Sequence, residues 1–354
     1  MLQNSLIKIY RHNEKNDWEL FCKKYNLKLD IYYQADFLYL DAILQKGEYE
    51  IFTFEKGENI FIYPYIKLPI PLSGFENYFD ISSPYGYAGP YVNNTDEDFF
   101  NDAEKSLIEY YNQIGIITEF VRYHYLYNEE RFFNVKIQNS INRTIVIVNL
   151  NKGADYICRE EFSPPCRNIY RKMEKENYVF EFCEKEEDVQ LFWKMYAQTM
   201  DNASADSFYY FGEQFIKKAM KTLGDKLKLT RVMKDGVTYA SSLFYFSNGI
   251  ITYYLLGRNL DYPKVRANSY LLSKIILWAS DNNYNLFNLG GGTDNNPDNS
   301  LFEFKKKFSG STAPFYIGKR IHREDIYEDI KKTYIAIYGQ ELYDTKKQIL
   351  QFYR

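Results

Sequence analysis

Cysteine is scarce in this chain of 354 residues, and Cys22, Cys158, Cys166 and Cys183 form no CxxC pair and lie near no histidine cluster. Neither a zinc site nor a redox pair is indicated, so the four are expected to be free thiols in a reducing cytoplasm. Charge of one sign is also lacking: 44 Lys and Arg against 47 Asp and Glu leave −3. That balance argues against a protein that holds nucleic acid mainly by wrapping its phosphates, and no DNA partner is expected. No apolar run approaches the ~18 residues of a membrane span, and the N-terminus turns polar before a signal peptide could form. The chain is expected to be soluble and cytoplasmic, without stable membrane insertion. No GK[ST] loop and no GxGxxG fingerprint occur, which disfavours nucleotide binding of those two kinds. No Ser/His/Asp order with a nucleophile elbow is present either, which disfavours hydrolase chemistry.

Aromatic residues are abundant instead. With 36 Tyr, 27 Phe and 3 Trp they make 19% of the chain, more than a core of this size needs, so many tyrosines are expected at surfaces or lining a groove. A composition 45% hydrophobic and 26% charged suits a globular protein with a sizeable core. The length corresponds to two domains of roughly 150 residues.

The pattern along the chain supports that division. Helical patterns at 18–25 and 34–43 precede strand-like runs at 50–54 and 60–65, which flank a hairpin-like Glu55-Lys56-Gly57-Glu58. A Pro, Gly and Ser-rich loop at 69–90, a helix capped by Thr95 and reaching about Gln113, and a strand at 116–121 follow. The second half repeats that order. Strands at 226–233, 237–246 and 250–256 are joined by Asp235-Gly236 and Asn248-Gly249, both strong hairpin-turn signals. A helix at 267–281 carries Leu272, Ile275, Ile276 and Ala279 on one stripe, and a strand at 285–289 follows it. The expected division is 1–150 and 151–320, with a helical tail at 321–354 packing back on the first domain.

Four constellations could carry chemistry. Arg266-Ala267-Asn268-Ser269 opens the helix at 267–281, where unpaired N–H groups and the positive end of the dipole suit phosphate; plain capping by Asn268 or Ser269 is the alternative. Gly290, Gly291 and Gly292 end the strand after it, and permit either close ligand approach or a flexible turn. The segment 302–323 is basic, with Lys305, Lys306, Lys307, Lys319, Arg320 and Arg323 against Glu303, and would ordinarily be a solvated face. Its interleaved Phe302, Phe304 and Phe308 call for anchoring, so a lysine can turn inward and neutralise phosphate or an oxyanion. Arg167 and Arg171 share a helix face, either as plain surface or as a second anion contact. His124, in EFVRYHYL, stands at a strand end, where a structural role is the commoner one.

Taken together, SPYGYAGPYVN at 83–93, EFVRYHYL at 119–126, TMDNASADSFYYF at 199–211, YYLLGRN at 253–259 and NLGGGTDNNPDNSLFEFKKKFSG at 288–310 resemble the FemAB-like acyltransferases of the GNAT superfold. The last block is the most specific, joining a glycine triplet, Asp298 and Phe304-Lys305-Lys306-Lys307-Phe308. The resemblance implies an α+β chain of two GNAT-like domains, with mixed sheets flanked by helices and an interdomain cleft. It implies transfer of an acyl or aminoacyl group to an amine on a cell-envelope precursor, either an amino sugar or a peptidoglycan peptide. The donor would be acyl-CoA or aminoacyl-tRNA, with no tightly bound cofactor, and the partner a precursor bearing phosphate groups. Lys305 matches the family's FK lysine, which stabilises the oxyanion or binds phosphate, and Tyr254 falls in the strand whose tyrosine faces the reacting centre. The acyl-CoA signature, Arg or Gln followed by xxGxG or xxGxA, is not met from Arg266 to Leu271, and Tyr125 stands where a proline is usual.

No well-placed nucleophile with a base occurs, so direct attack by the acceptor amine is expected, driven by orientation and electrostatics. Lys305, Tyr254 and Asp298 are the expected catalytic residues, with Asp298 or His124 as candidate base. Arg266, Asn268, Ser269, the three glycines, Arg122, His124, Tyr85, Tyr87, Arg167 and Arg171 are the expected substrate contacts. The competing reading is a non-catalytic glycan- or precursor-binding protein that uses a Tyr-rich cleft, with Tyr85, Tyr87 and Tyr91 as contacts.

Overall fold

The computed structural model describes residues 5–127, 137–203, 210–296 and 298–354. Residues 204–209 of the TMDNASADSFYYF block and Pro297 of the glycine-rich block lie outside them. Backbone contacts divide the chain into two compact units: Met1–Lys28, Tyr32–Asn142 and Phe315–Arg354, and then Leu29–Ile31 with Arg143–Pro314.

The first unit contains β1 (Leu6–Tyr10), α1 (Lys15–Lys24), α2 (Ala35–Gln45), β2 (Glu48–Lys56), β3 (Asn59–Pro69), β4 (Phe79–Ser82), β5 (Tyr91–Val92), α3 (Glu97–Gln113) and β6 (Ile116–Arg122). In the second lie β7 (Gln138–Asn149), α4 (Ala154–Tyr156), α5 (Pro164–Lys175), β8 (Val179–Cys183), α6 (Glu186–Asn202), α7 (Glu213–Leu223), β9 (Leu227–Lys234), β10 (Val237–Ser247), β11 (Ile250–Arg258), α8 (Ala267–Asp281), β12 (Leu286–Gly291) and α9 (Ser300–Lys306). The chain then runs through β13 (Thr312–Ile321) into α10 (Glu324–Tyr338) and α11 (Gln340–Lys346) of the first unit.

Both units follow one plan. In the first the strand order is β1-β2-β3-β4-β6-β13, with β4 and β6 parallel across the helix α3. In the second it is β7-β12-β11-β10-β9-β8, with β11 and β12 parallel across α8. A parallel pair needs a crossover, and each helix supplies it. The strand β4 falls inside the Pro, Gly and Ser-rich stretch read as loop, because a run of four residues among turn formers carries little periodic signal.

Local chemistry accounts for the well-placed elements. Asp235 and Gly236 adopt φ of 51° and 76°, and Asn248 and Gly249 of 45° and 83°, the positive angles that two-residue hairpin turns need. Asp96 rather than Thr95 caps α3, its carboxylate accepting the Asp98 N–H at 3.0 Å. The stripe Leu272, Ile275, Ile276 and Ala279 of α8 is fully buried against Phe244, Phe287 and Leu289. In the first unit Phe61, Tyr63 and Tyr65 pack against Phe100, Leu107 and Tyr111 of α3.

Many tyrosines expected at surfaces prove to be core residues, among them Tyr33, Tyr63, Tyr65, Tyr111, Tyr123, Tyr196 and Tyr270. Burial is tolerable where the hydroxyl finds a partner: Tyr65 donates to Glu50 at 2.8 Å, and Tyr270 donates to Glu174 and the Tyr178 carbonyl. The basic segment 302–323 is no single solvated face either, since it divides into α9, a turn and β13. The four cysteines are free. Burial pushes the thiols of Cys22, Cys166 and Cys183 up to about 12, 11 and 12, so they stay protonated. Among the described residues no cluster of side chains could hold a metal ion, and no helix is long and apolar enough to cross a membrane.

Candidate active site

The site in the second unit is built where β11 and β12 part. Their parallel pairing covers Ile250↔Leu286, Ile251↔Phe287 and Thr252↔Asn288, and no register continues it. Beyond that rung β11 pairs on with β10 and β12 with β7, and both strands carry an irregularity there. The register of β11 against β10 skips Tyr254, and that of β12 against β7 skips Leu289. Bulges of this kind re-aim side chains and end pairing.

Lys305 enters from α9. Phe308 is fully buried against Phe162 and Phe304, at ring separations of 5.7 and 5.5 Å, and this anchor turns Lys305 inward while Lys306 and Lys307 stay exposed. Lys305 is 7% exposed, donates from Nζ to the Gly291 carbonyl at 2.7 Å, and lies 5.6 Å from the centre of the Tyr253 ring. Burial first, and then the charge of Arg143, push its pKa down to about 7. Near neutral pH this amine therefore exists in both protonation states.

The glycine triplet is explained by protein contacts. Gly290 has φ of +73°, a side chain on Gly291 would meet the Thr144 carbonyl at 2.8 Å, and one on Gly292 would collide with the Asn299 carboxamide. Asn299 occupies that space as the cap of α9, accepting the N–H groups of Leu301 and Phe302 at 3.1 Å each. Arg143 donates to the Gly292 carbonyl at 2.7 Å. The triplet thus lets β7 and α9 come close enough to place Lys305.

The first turn of α8 has no side-chain cap. Arg266 is its exposed N-cap residue, and neither Asn268 nor Ser269 plays the capping role weighed from sequence. Asn268 instead hydrogen-bonds the Tyr253 side chain, and its Oδ1 is buried without a partner among the described residues. Burial raises the Tyr253 hydroxyl well above its ordinary range. Ser269 is buried, its carbonyl accepting the Ser273 hydroxyl at 2.9 Å.

Lys305, itself bonded to Gly291, and Asn268 are therefore brought together around Tyr253, a residue that nothing in the sequence singles out. Tyr254 points the other way, packing on Tyr245 and Phe211 at 4.5 and 6.5 Å, whereas Tyr253 stacks on Phe244 at 5.6 Å. Asp298 is exposed and makes no described contact with Lys305. Arg167 donates to the carbonyls of Arg159 and Phe162 at 2.6 and 2.5 Å, closing a turn of its own unit, and Arg171 is exposed.

The remaining expected contacts belong to the first unit. Arg122 donates to the Ser82 hydroxyl and the Ser83 carbonyl, both at 2.9 Å, and lies over the Phe120 and Tyr85 rings. The His124 ring is stacked on Tyr125 and Tyr127 at 4.7 and 4.2 Å, and its Nδ1 accepts the Leu126 N–H at 3.2 Å. Its surroundings are those of a packed structural histidine. Tyr87 packs edge-on to Tyr32, Tyr125 and Phe315, Tyr91 packs edge-on to Tyr127, and Tyr85 is 37% exposed.

Comparison with known proteins bears on this arrangement. Residues 166–306 match the acetyltransferase (GNAT) domain family, and that segment carries Tyr253, α8, β12 and Lys305. The fold is similar to that of FemX, with TM-score 0.72 and 10% identity over 92% of this chain and 100% of that one. It is also similar to L-PGS from Bacillus licheniformis, with TM-score 0.56 and 14% identity over 90% and 95% of the two chains. A third similar structure is the C-terminal domain of a putative lysylphosphatidylglycerol synthetase from Agrobacterium fabrum, with TM-score 0.55 and 14% identity over 92% and 97%. No curated protein sequence matches. At such identities the likeness is one of fold. The chain is a mixed α+β protein with a FemX-like fold, and its residues 166–306 are a match to the acetyltransferase (GNAT) domain.

Proposed function

We propose that this protein transfers an acyl or aminoacyl group from an activated donor to an amine on a cell-envelope precursor, with the chemistry in the second unit. The observation that carries the reading is Lys305: a buried amine, held at the parting of β11 and β12, whose pKa of about 7 suits proton transfer at neutral pH. The acceptor nitrogen attacks the donor carbonyl, the C=O pair moves to oxygen, and neutral Lys305 takes the proton released by nitrogen. When the carbonyl re-forms, the thiolate or ribose alkoxide leaves with its electron pair. The resulting Lys305 ammonium then lies beside the developing charge, as oxyanion stabilisation requires.

Arg266 and the uncapped first turn of α8 would hold a phosphate of donor or acceptor. Both donor classes stay within the proposal. The matched GNAT domain supports acyl-CoA, whereas buried Ser269 and Leu271 stand where the acyl-CoA signature has small residues. An aminoacyl donor is supported by the fold shared with a lysylphosphatidylglycerol synthetase, named for a lysyl group. The substrate-binding roles of Arg122, Tyr85 and Tyr87 belong to the same proposal, and the cytoplasm is its proposed place of action.

The test offers purified protein acetyl-CoA or charged tRNA as donor, and glucosamine or a UDP-linked muramyl peptide as acceptor, with the amide product read by mass spectrometry. Amide formed by the wild type and lost in Lys305→Met supports the proposal, and RNase sensitivity with a steep salt dependence assigns the donor to tRNA. Binding of the precursor without amide from any pair contradicts it.

A further inference from the structure

We propose that Asn288 and Thr252 hold the carbonyl oxygen of the acyl group in transfer, as a side-chain oxyanion hole at the last rung between β11 and β12. This rests on the acyl-transfer reading above and adds the groups that touch the reacting oxygen.

Thr252 pairs with Asn288 on one side and with Tyr245 on the other, so the three form a row across the sheet on one face. Phe287 and Leu289, the neighbours of Asn288 in sequence, pack in the core on the opposite face. Asn288 is 0% exposed and Thr252 5%, and the Asn288 Nδ2 and the Thr252 hydroxyl have no hydrogen-bond partner among the described residues. The orientation of the carboxamide is fixed, because Asn288 Oδ1 accepts the Gly290 N–H at 2.8 Å. Nδ2 is therefore the group left over.

An unpartnered buried polar group loses its hydration with nothing in return, and two side by side are hard to account for as packing alone. Their position gives them a use. The strands separate immediately beyond this rung, so both side chains border the gap, on the face opposite Phe287 and Tyr253. A carboxamide N–H cannot accept a proton, so an ammonium does not fit there, whereas a carbonyl oxygen that gains negative charge does. Closure to water makes each donor worth more to that charge. As the amine bonds to the carbonyl carbon, the C=O pair moves onto the oxygen between Asn288 and Thr252. When the pair returns, the bond to the thiolate or alkoxide breaks, and the amine's proton goes to Lys305.

The test compares wild type with Thr252→Val, Thr252→Ser and Asn288→Asp, by thermal melting and by kinetics with the donor and acceptor probes named above. Valine keeps the shape of threonine and removes only the hydroxyl. The expected result is that Thr252→Val melts no lower than wild type while its kcat falls about 10²-fold with little change in KM, that Thr252→Ser keeps activity, and that Asn288→Asp loses at least as much as valine. Lower melting of Thr252→Val with turnover intact would show a structural hydroxyl and overturn the inference, as would full kcat in Asn288→Asp. If the wild type turns over no probe, the transfer reading fails and this inference fails with it, whereas turnover in the wild type that Thr252→Val keeps in full overturns the inference alone.

Discussion

The Lys305 ammonium hydrogen-bonds the Gly291 carbonyl at 2.7 Å, fourteen residues earlier in the chain, and this contact joins the basic segment to the glycine triplet. It ties α9 to the end of β12 and leaves a titratable group 7% exposed. Consequences for stability and for rate follow from that burial.

Lys305→Met should stabilise the protein in acid and not in base. The folded pKa of about 7 lies below the value of 10.5 for an exposed lysine, so burying the ammonium costs most below pH 7, and the cost fades as pH rises toward 10.5. At pH 6 the variant is expected to gain about 2 kcal/mol in urea unfolding, after allowance for the lost Gly291 bond. The gain should vanish near pH 10, while transfer falls about 10²-fold.

The rate of transfer should climb with pH and level off above about 7, because the neutral amine must receive a proton. An acceptor whose own amine titrates far from that range isolates the limb. A rate that falls through pH 7 would mean that the ammonium form is required instead.

Asp41 in the first unit offers a second burial test. It accepts the Tyr85 N–H at 3.1 Å, and burial, partly offset by that bond, raises its carboxyl to about 6. Its folded pKa lies above its unfolded value of 3.8, so the carboxylate costs stability above pH 6 and the cost disappears as pH falls through the window. Asp41→Asn should therefore unfold at higher urea than wild type at pH 8, with the curves converging by pH 4.

Arg320 is buried with Glu104 and Glu119, at 2.8 and 3.2 Å, and His322 joins Glu119 at 3.1 Å. Burial alone would raise Glu119, yet Arg320 and His322 hold it below its ordinary value. Arg320→Met takes the buried guanidinium from both carboxylates, leaving Glu119 with His322, and should cost about 3–5 kcal/mol at pH 7 in urea unfolding. Adding Glu104→Leu and Glu119→Leu should restore much of that loss.

Much of this was legible in the residues. Asp235-Gly236, Asn248-Gly249 and the stripe of α8 fixed the second unit's hairpins and crossover helix because turn angles and periodicity are local. The Phe-anchored lysine was legible too, since Phe304 and Phe308 on one short helix leave Lys305 facing inward. The choice between Tyr253 and Tyr254 was not, because adjacent tyrosines look alike until the shift opposite Phe244 shows which faces α8. Thr252, Asn288 and Arg143 gave no signal, for their role depends on pairing between strands far apart in sequence. Tyrosines such as Tyr63 and Tyr65 misled by composition, since a core can take a hydroxyl wherever it finds a partner, as Tyr65 does in Glu50.

The most direct measurement is a carbon NMR titration of ε-labelled lysine in the folded protein, with the Lys305 signal assigned by its loss in Lys305→Arg. A midpoint near 7, far from the other lysines, is the predicted result. A midpoint near 10.5 would place that amine in water and contradict the account.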